Sequence, residues 1–127
     1  MTTNNGKRIV LAEDDRFLRR GCETGLRNRG YTVISACDGE EALQAIRAER
    51  PDLILLDLMM PKLTGVEVLR SLKSEEATRN IPVLILTNSS NVSDVKEVLE
   101  LGADGYHLKS NLSLAELGER VRALLKQ

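Results

Sequence analysis

The sequence predicts an α/β domain of the (βα)₅ type, a doubly wound sheet of five parallel strands. Three observations predict it. Short apolar runs alternate five times with longer amphipathic stretches. The connections between them are short, as in βαβ units. The first, third and fourth runs show little polar alternation, the mark of strands covered on both faces.

The first strand is expected at Arg8–Ala12 (RIVLA). A helix follows from Asp15 to Arg29, with Phe17, Leu18, Cys22 and Leu26 on its apolar face and Gly30 as its stop. Gly21 and Gly25 are expected to weaken this helix by roughly 1 kcal/mol each relative to alanine, with close packing against a neighbour as a reason for their presence. The second strand is expected at Tyr31–Ser35, and the second helix runs Glu40–Arg50 with Ala42, Leu43 and Ile46 inward. Pro51 blocks its continuation. Leu53–Leu56 (LILL) makes the third strand, and Gly65–Glu75 the third helix on Val66, Leu69 and Leu72. Ile81–Thr87 makes the fourth strand. Ser93–Leu101 makes the fourth helix, on Val95, Val98 and Leu99, with Gly102 as its cap. The fifth run, Gly105–Leu108, is the weakest. The last helix opens on a capping box, Ser113 with Glu116, and carries a stripe of Leu114, Leu117, Val121, Leu124 and Leu125.

The length of 127 residues fits one domain able to bury its own core. Residues 1–6 (MTTNNG) are polar and expected to be disordered, leaving 7–127 as the domain. A net charge of −1 gives no overall attraction to nucleic acid or to an anionic membrane. The only aromatics are Phe17, Tyr31 and Tyr106, so no platform exists for stacking bases. Cys22 and Cys37 form no metal or redox motif; both are expected as small buried hydrophobes, which suits a reducing cytosol. There is no signal peptide and no apolar run of membrane-spanning length, so a cytoplasmic location is expected.

In a doubly wound sheet, function gathers beyond the carboxyl ends of the strands. Those ends carry Glu13, Asp14 and Asp15 after the first strand and Asp57 after the third. Thr87, Asn88 and Ser89 lie at the fourth, and Lys109 and Ser110 at the fifth. Two carboxylates about 4 Å apart repel by roughly 4 kcal/mol at an effective dielectric of 20. One lysine offsets part of this. A hard divalent cation on oxygen ligands, Mg²⁺ or Mn²⁺, offsets far more. Capping of the first helix explains one acid, Asp15, but not three in a row. The same groups suit phosphoryl transfer: a carboxylate nucleophile, a cation to neutralise the phosphoryl oxygens, and hydroxyl donors. Asp57 is the best nucleophile because Leu53–Leu56 hold it at a rigid strand end.

These motifs resemble those of the response-regulator receiver domains, including the single-domain chemotaxis regulators. The resemblance rests on Ile9-Val10-Leu11-Ala12-Glu13-Asp14-Asp15, on Pro51 to Pro61 with Asp57 within it, on Gly65, on Leu84-Ile85-Leu86-Thr87, and on Gly102 to Lys109. It spans nearly the whole chain from Lys7 on and implies a flavodoxin-like receiver fold. It also implies roles. Asp57 accepts the phosphoryl group. Asp14 binds Mg²⁺ directly, Glu13 through water, and the Met59 backbone carbonyl is a further ligand. Thr87 hydrogen-bonds the phosphoryl group and draws its loop inward, Lys109 pairs with the phosphoryl oxygens, and Tyr106 is an aromatic switch. Phosphate comes from a histidine kinase or a histidine phosphotransfer protein, and a protein partner reads the face of the fourth helix, fifth strand and fifth helix. The protein is then no enzyme beyond its own phosphorylation and dephosphorylation. It is expected as a monomer, with pairing on phosphorylation common among similar proteins.

Two positions depart from the family pattern. Ser110 stands where a proline usually follows the lysine. A cis bond before a non-proline residue costs about 3 kcal/mol, so a trans bond is expected. Asn88 stands where a smaller residue is usual and is expected to narrow access to Asp57. His107, the only histidine, is expected to be structural or exposed.

Three rival functions compete. A phosphatase of the haloacid dehalogenase type needs a second acid two positions after the nucleophile, where Met59 stands, and a cap domain. A flavodoxin needs a hydroxyl-rich phosphate loop after the first strand, where this chain is acidic. A receiver-fold interaction module that works without phosphorylation is the nearest alternative. DNA binding is not expected, since no output domain follows the last helix in this sequence; the alternative is that the chain is a fragment of a longer regulator.

Overall fold

The computed structural model describes residues 6–88, 92–111 and 113–126. Five parallel strands form one sheet in the order β2-β1-β3-β4-β5. They are β1 (Arg8–Ala12), β2 (Thr32–Ala36), β3 (Leu53–Asp57), β4 (Val83–Thr87) and β5 (Gly105–Leu108). The helices are α1 (Arg16–Asn28), α2 (Gly39–Glu49), α3 (Gly65–Ser74), α4 (Val92–Glu100) and α5 (Leu114–Leu124). The predicted fold and element order are therefore observed.

The continuous apolar runs fill both faces of the sheet. Every residue of β3 and β4 is buried. Successive side chains take opposite faces. Val10, Ile54, Leu56, Val83 and Ile85 pack with Ala42, Ile46, Val68, Leu69, Leu72 and Val98 of α2, α3 and α4. Ile9, Leu11, Leu53, Leu55, Leu84 and Leu86 pack with Cys22, Leu26, Leu117 and Val121 of α1 and α5. Fully burying one such aliphatic side chain stabilises the fold by about 1.5–3 kcal/mol, so these two layers dominate the stability.

Caps define the helix starts. Asp15 N-caps α1, its Oδ1 accepting from Phe17 N and Leu18 N. Ser113 caps α5 by accepting from Glu116 N, while a complete reciprocal box closes α3 through Thr64 and Glu67. Strand β2 sits one residue later than its sequence suggests, and β4 starts after Pro82, whose nitrogen has no hydrogen to donate to a ladder.

Several sequence expectations need correction. Phe17 is 90% exposed, because α1 turns Cys22 and Leu26 toward the sheet and leaves Phe17 outside. Leu99 and Leu114 are also exposed. Cys22 is buried as expected, but Cys37 is exposed at the turn after β2. Of the two helix glycines, Gly25 lies against Leu114, whereas Gly21 has open space around it. His107 is buried. The expected tail falls on residues that are not described, Gly6 apart.

Candidate functional site

Alternation along the strands explains how the site assembles. Glu13 continues the Ile9, Leu11 face of β1, and Asp57 continues the Leu53, Leu55 face of β3. Both therefore emerge on the side of the sheet covered by α1 and α5. Lys109 opens a short 3₁₀ turn directly after β5 and crosses over β4 to reach them. Its Nζ lies 2.7 Å from Glu13 Oε1 and 3.0 Å from Asp57 Oδ2.

Glu13 and Asp57 are buried, 0% and 2% exposed, whereas Asp14 is exposed. The Lys109 ammonium is close enough for ion pairs, yet neither Glu13 Oε1 nor Asp57 Oδ2 has a well-aligned hydrogen-bond donor. One ammonium shared between two carboxylates leaves acceptor capacity for a second cation. Glu13, Asp14 and Asp57 each offer an oxygen, all within 4.8 Å of one another. This compact all-oxygen set, with two buried carboxylates sharing one ammonium, fits a hard divalent cation.

Burial pushes the Asp57 carboxyl up to about 7; Glu13 and Asp14 add to the rise, and Lys109 opposes it. Burial pulls the Lys109 ammonium down, but its contacts with Glu13 and Asp57 outweigh that and raise it. The lysine is therefore held charged.

The backbone around these groups is tied down. Glu13 N donates to Ala36 O, and Asp15 N donates to Glu13 Oε2. Met59 N donates to Asp57 Oδ1 at 3.1 Å, fixing one side of that carboxylate. The Met59 side chain is exposed. Gly65 opens α3 against the end of β3: a Cβ there would meet Asp57 O at 2.4 Å. Thr87 is buried at the end of β4, one residue beyond Leu86, the register partner of Asp57. Asp14, Asp15, Asp57, Met59, Asn88, Asp94 and Lys109 line a cleft of about 550 Å³. Asn88 thus borders the approach to Asp57. Tyr106 is 38% exposed on β5. The Lys109–Ser110 peptide is trans. Ser89 lies outside the described residues.

Two contributors carry little sequence signal. Arg19 Nη1 donates to Glu13 O at 2.9 Å and, more weakly, to Asp14 O at 3.4 Å. Helical side chains lean toward the N-terminus, so a residue one turn into α1 reaches back to the acidic loop. Its spacing from Asp15 was the only clue. Asp94 enters the cleft from α4, far from the other acids in sequence.

The fold and this strand-end cluster define a class of signalling module, and comparison with known proteins names it. The family model for the response regulator receiver domain matches residues 9–122, and the chain belongs to that family. It is 46% identical over 121 residues to the probable transcriptional regulator ycf27 of Porphyridium aerugineum, covering 95% of this chain and 49% of that protein. The chain thus spans about half the length of that relative. The Francisella response regulator 1452 receiver domain superposes with a TM-score of 0.86 at 33% identity, over 94% of this chain and 97% of that one. The chemotaxis protein CheY4 of Vibrio cholerae superposes with a TM-score of 0.86 at 25% identity, over 98% and 99%. No helix among the described residues is long and apolar enough to cross a membrane.

Proposed function

We propose that the chain is a phosphoryl-operated switch in which Asp57 is the acceptor. The observation that carries this is the convergence of Glu13, Asp14 and Asp57 within 4.8 Å beneath the Lys109 ammonium. Asp14, Glu13, Asp57 and the Met59 carbonyl would hold Mg²⁺, or Mn²⁺ in its place. The ion supplies charge neutralisation for the incoming phosphoryl oxygens and keeps Asp57 ionised.

An Asp57 carboxylate oxygen attacks the phosphorus of a phosphohistidine on a histidine kinase or phosphotransfer protein. The new P–O bond forms as the P–N bond breaks, and the departing imidazole nitrogen keeps the electron pair and takes a proton. Lys109 moves from the carboxylate pair to the phosphoryl oxygens, and Thr87 donates its hydroxyl. Hydrolysis of the acyl phosphate returns the switch to rest. The protein thus acts on no substrate but itself.

The readout follows from connectivity. Thr87 ends β4, and β4 pairs with β5, where Leu108 stands opposite Thr87 and Tyr106 opposite Ile85. Movement of Thr87 toward the phosphoryl group strains the strand that carries Tyr106. The face of α4, β5 and α5 then changes for a protein partner in the cytoplasm. The reading takes the resting protein as a monomer, with a dimer as an option for the phosphorylated form.

Thermal unfolding with Mg²⁺ and beryllofluoride tests the site. The expected result is a rise in Tm that needs both components and disappears in Asp57→Asn. Equal stabilisation of the variant would remove Asp57 from the acceptor role.

A further inference from the structure

His107 is the only histidine in the sequence, is buried, and has no role in the phosphoryl chemistry proposed above. It sits on β5 opposite Leu86, on the side of the sheet covered by α5. Arg120 of α5 meets it. Arg120 Nη1 lies 3.0 Å from His107 Nδ1 and donates to Tyr106 O at 2.6 Å. A Cβ on Gly105 would lie 3.2 Å from Arg120 Nη2, so the guanidinium spans the first three residues of the strand.

A guanidinium has only donors and stays charged. His107 Nδ1 must therefore accept, which puts the ring hydrogen on Nε2 and makes the imidazole neutral. Nε2 is buried without a partner, so no carboxylate waits to stabilise a cation there. Arg120 and Glu116 of α5 are the charged groups that bear on the ring, Arg120 against protonation and Glu116 for it. The residue facing it from β4, Leu86, is apolar. A proton on Nδ1 would set two donors and two positive charges face to face.

We propose that Arg120 and His107 form a proton-sensitive latch that holds the β5 backbone at Tyr106 against α5 while the imidazole is neutral and opens when it is protonated. The latch itself stands without the phosphoryl reading. Its bearing on signalling rests on that reading, because Tyr106 lies on the proposed readout face. In this arrangement Arg120 is a positioning residue for β5, and His107 makes that positioning depend on pH.

Nuclear magnetic resonance on the unphosphorylated protein tests the latch separately from phosphorylation. The single histidine gives one unambiguous ring. Above pH 7 it should show hydrogen on Nε2, and it should protonate below the ordinary histidine range. Arg120→Gln should raise that midpoint. Amide protection at Tyr106 to Leu108 should fall on acidification by on the order of tenfold, the scale of a lost hydrogen bond to a charged group. His107→Asn, which keeps an acceptor but does not titrate, should hold its protection across the same range. A histidine that titrates normally in both the parent and Arg120→Gln would overturn the proposal. So would protection that falls equally in His107→Asn.

Discussion

Lys109 crosses β4 to set its ammonium 3.0 Å from Asp57 Oδ2, and the same nitrogen meets Glu13 Oε1. One cation thus balances two buried carboxylates from two other strands.

Lys109→Ala should therefore destabilise the metal-free protein. Removing one partner of a buried ion pair costs about 3–5 kcal/mol, and proton uptake by the abandoned carboxyls reduces this to roughly 1–3 kcal/mol. Urea unfolding at pH 8 measures it. Mg²⁺ should restore more stability to the variant than to the parent, since it replaces the lost charge.

Arg19→Ala should weaken Mg²⁺ binding by roughly tenfold, the usual effect of losing a group that orients metal ligands. Arg19 holds the backbone carbonyl of Glu13 and, more weakly, that of Asp14, in the loop that carries both acids. Calorimetric titration with Mg²⁺ checks this, with saturating Mg²⁺ recovering the parent's phosphorylation rate.

Gly65→Ala should cost about 1–3 kcal/mol or more, because the added carbon meets main-chain atoms of Asp57 and Leu58 that cannot swing aside. Chemical denaturation reads the loss, and slower phosphorylation should accompany it as the β3 end shifts.

Phe17→Ala should change stability by less than about 0.5 kcal/mol, as expected for an exposed site. Leu55→Ala, in the fully buried centre of β3, should cost about 2–5 kcal/mol. Paired urea curves decide between these two values.

Burial and Arg120 lower the His107 midpoint below its ordinary value. The unfolded chain therefore takes up this proton first as pH falls. Stability contributed by neutral His107 is present above about pH 6.5 and is lost between there and the lower folded value. His107→Asn should remove that part of the pH dependence, as Tm measured from pH 7.5 down to 5 will show.

Elements whose pattern is set by backbone periodicity were legible from the residues alone. The runs at Ile9, Leu53 and Val83 carry the mark of strands covered on both sides, and their order put Glu13, Asp57 and Thr87 at one edge. What escaped depends on which way a helix is rotated. The apolar content of Phe17 and Leu114 suggested burial, but α1 and α5 present Cys22, Leu26, Leu117 and Val121 to the sheet instead. Cys37 is a similar case: its chemistry favours burial, while the turn after β2 places it outside. Arg19 and the Arg120–His107 pair were invisible because long side chains meet partners on other elements. Only the packed structure brings those together.

The most direct test of the phosphoryl switch is intact mass after incubation with Mg²⁺ and acetyl phosphate, with Asp57→Asn alongside. The expected result is one added phosphoryl group that requires Mg²⁺ and is absent from the variant. An unchanged mass, or equal labelling of Asp57→Asn, would contradict the switch and leave a receiver fold that works through protein contact alone.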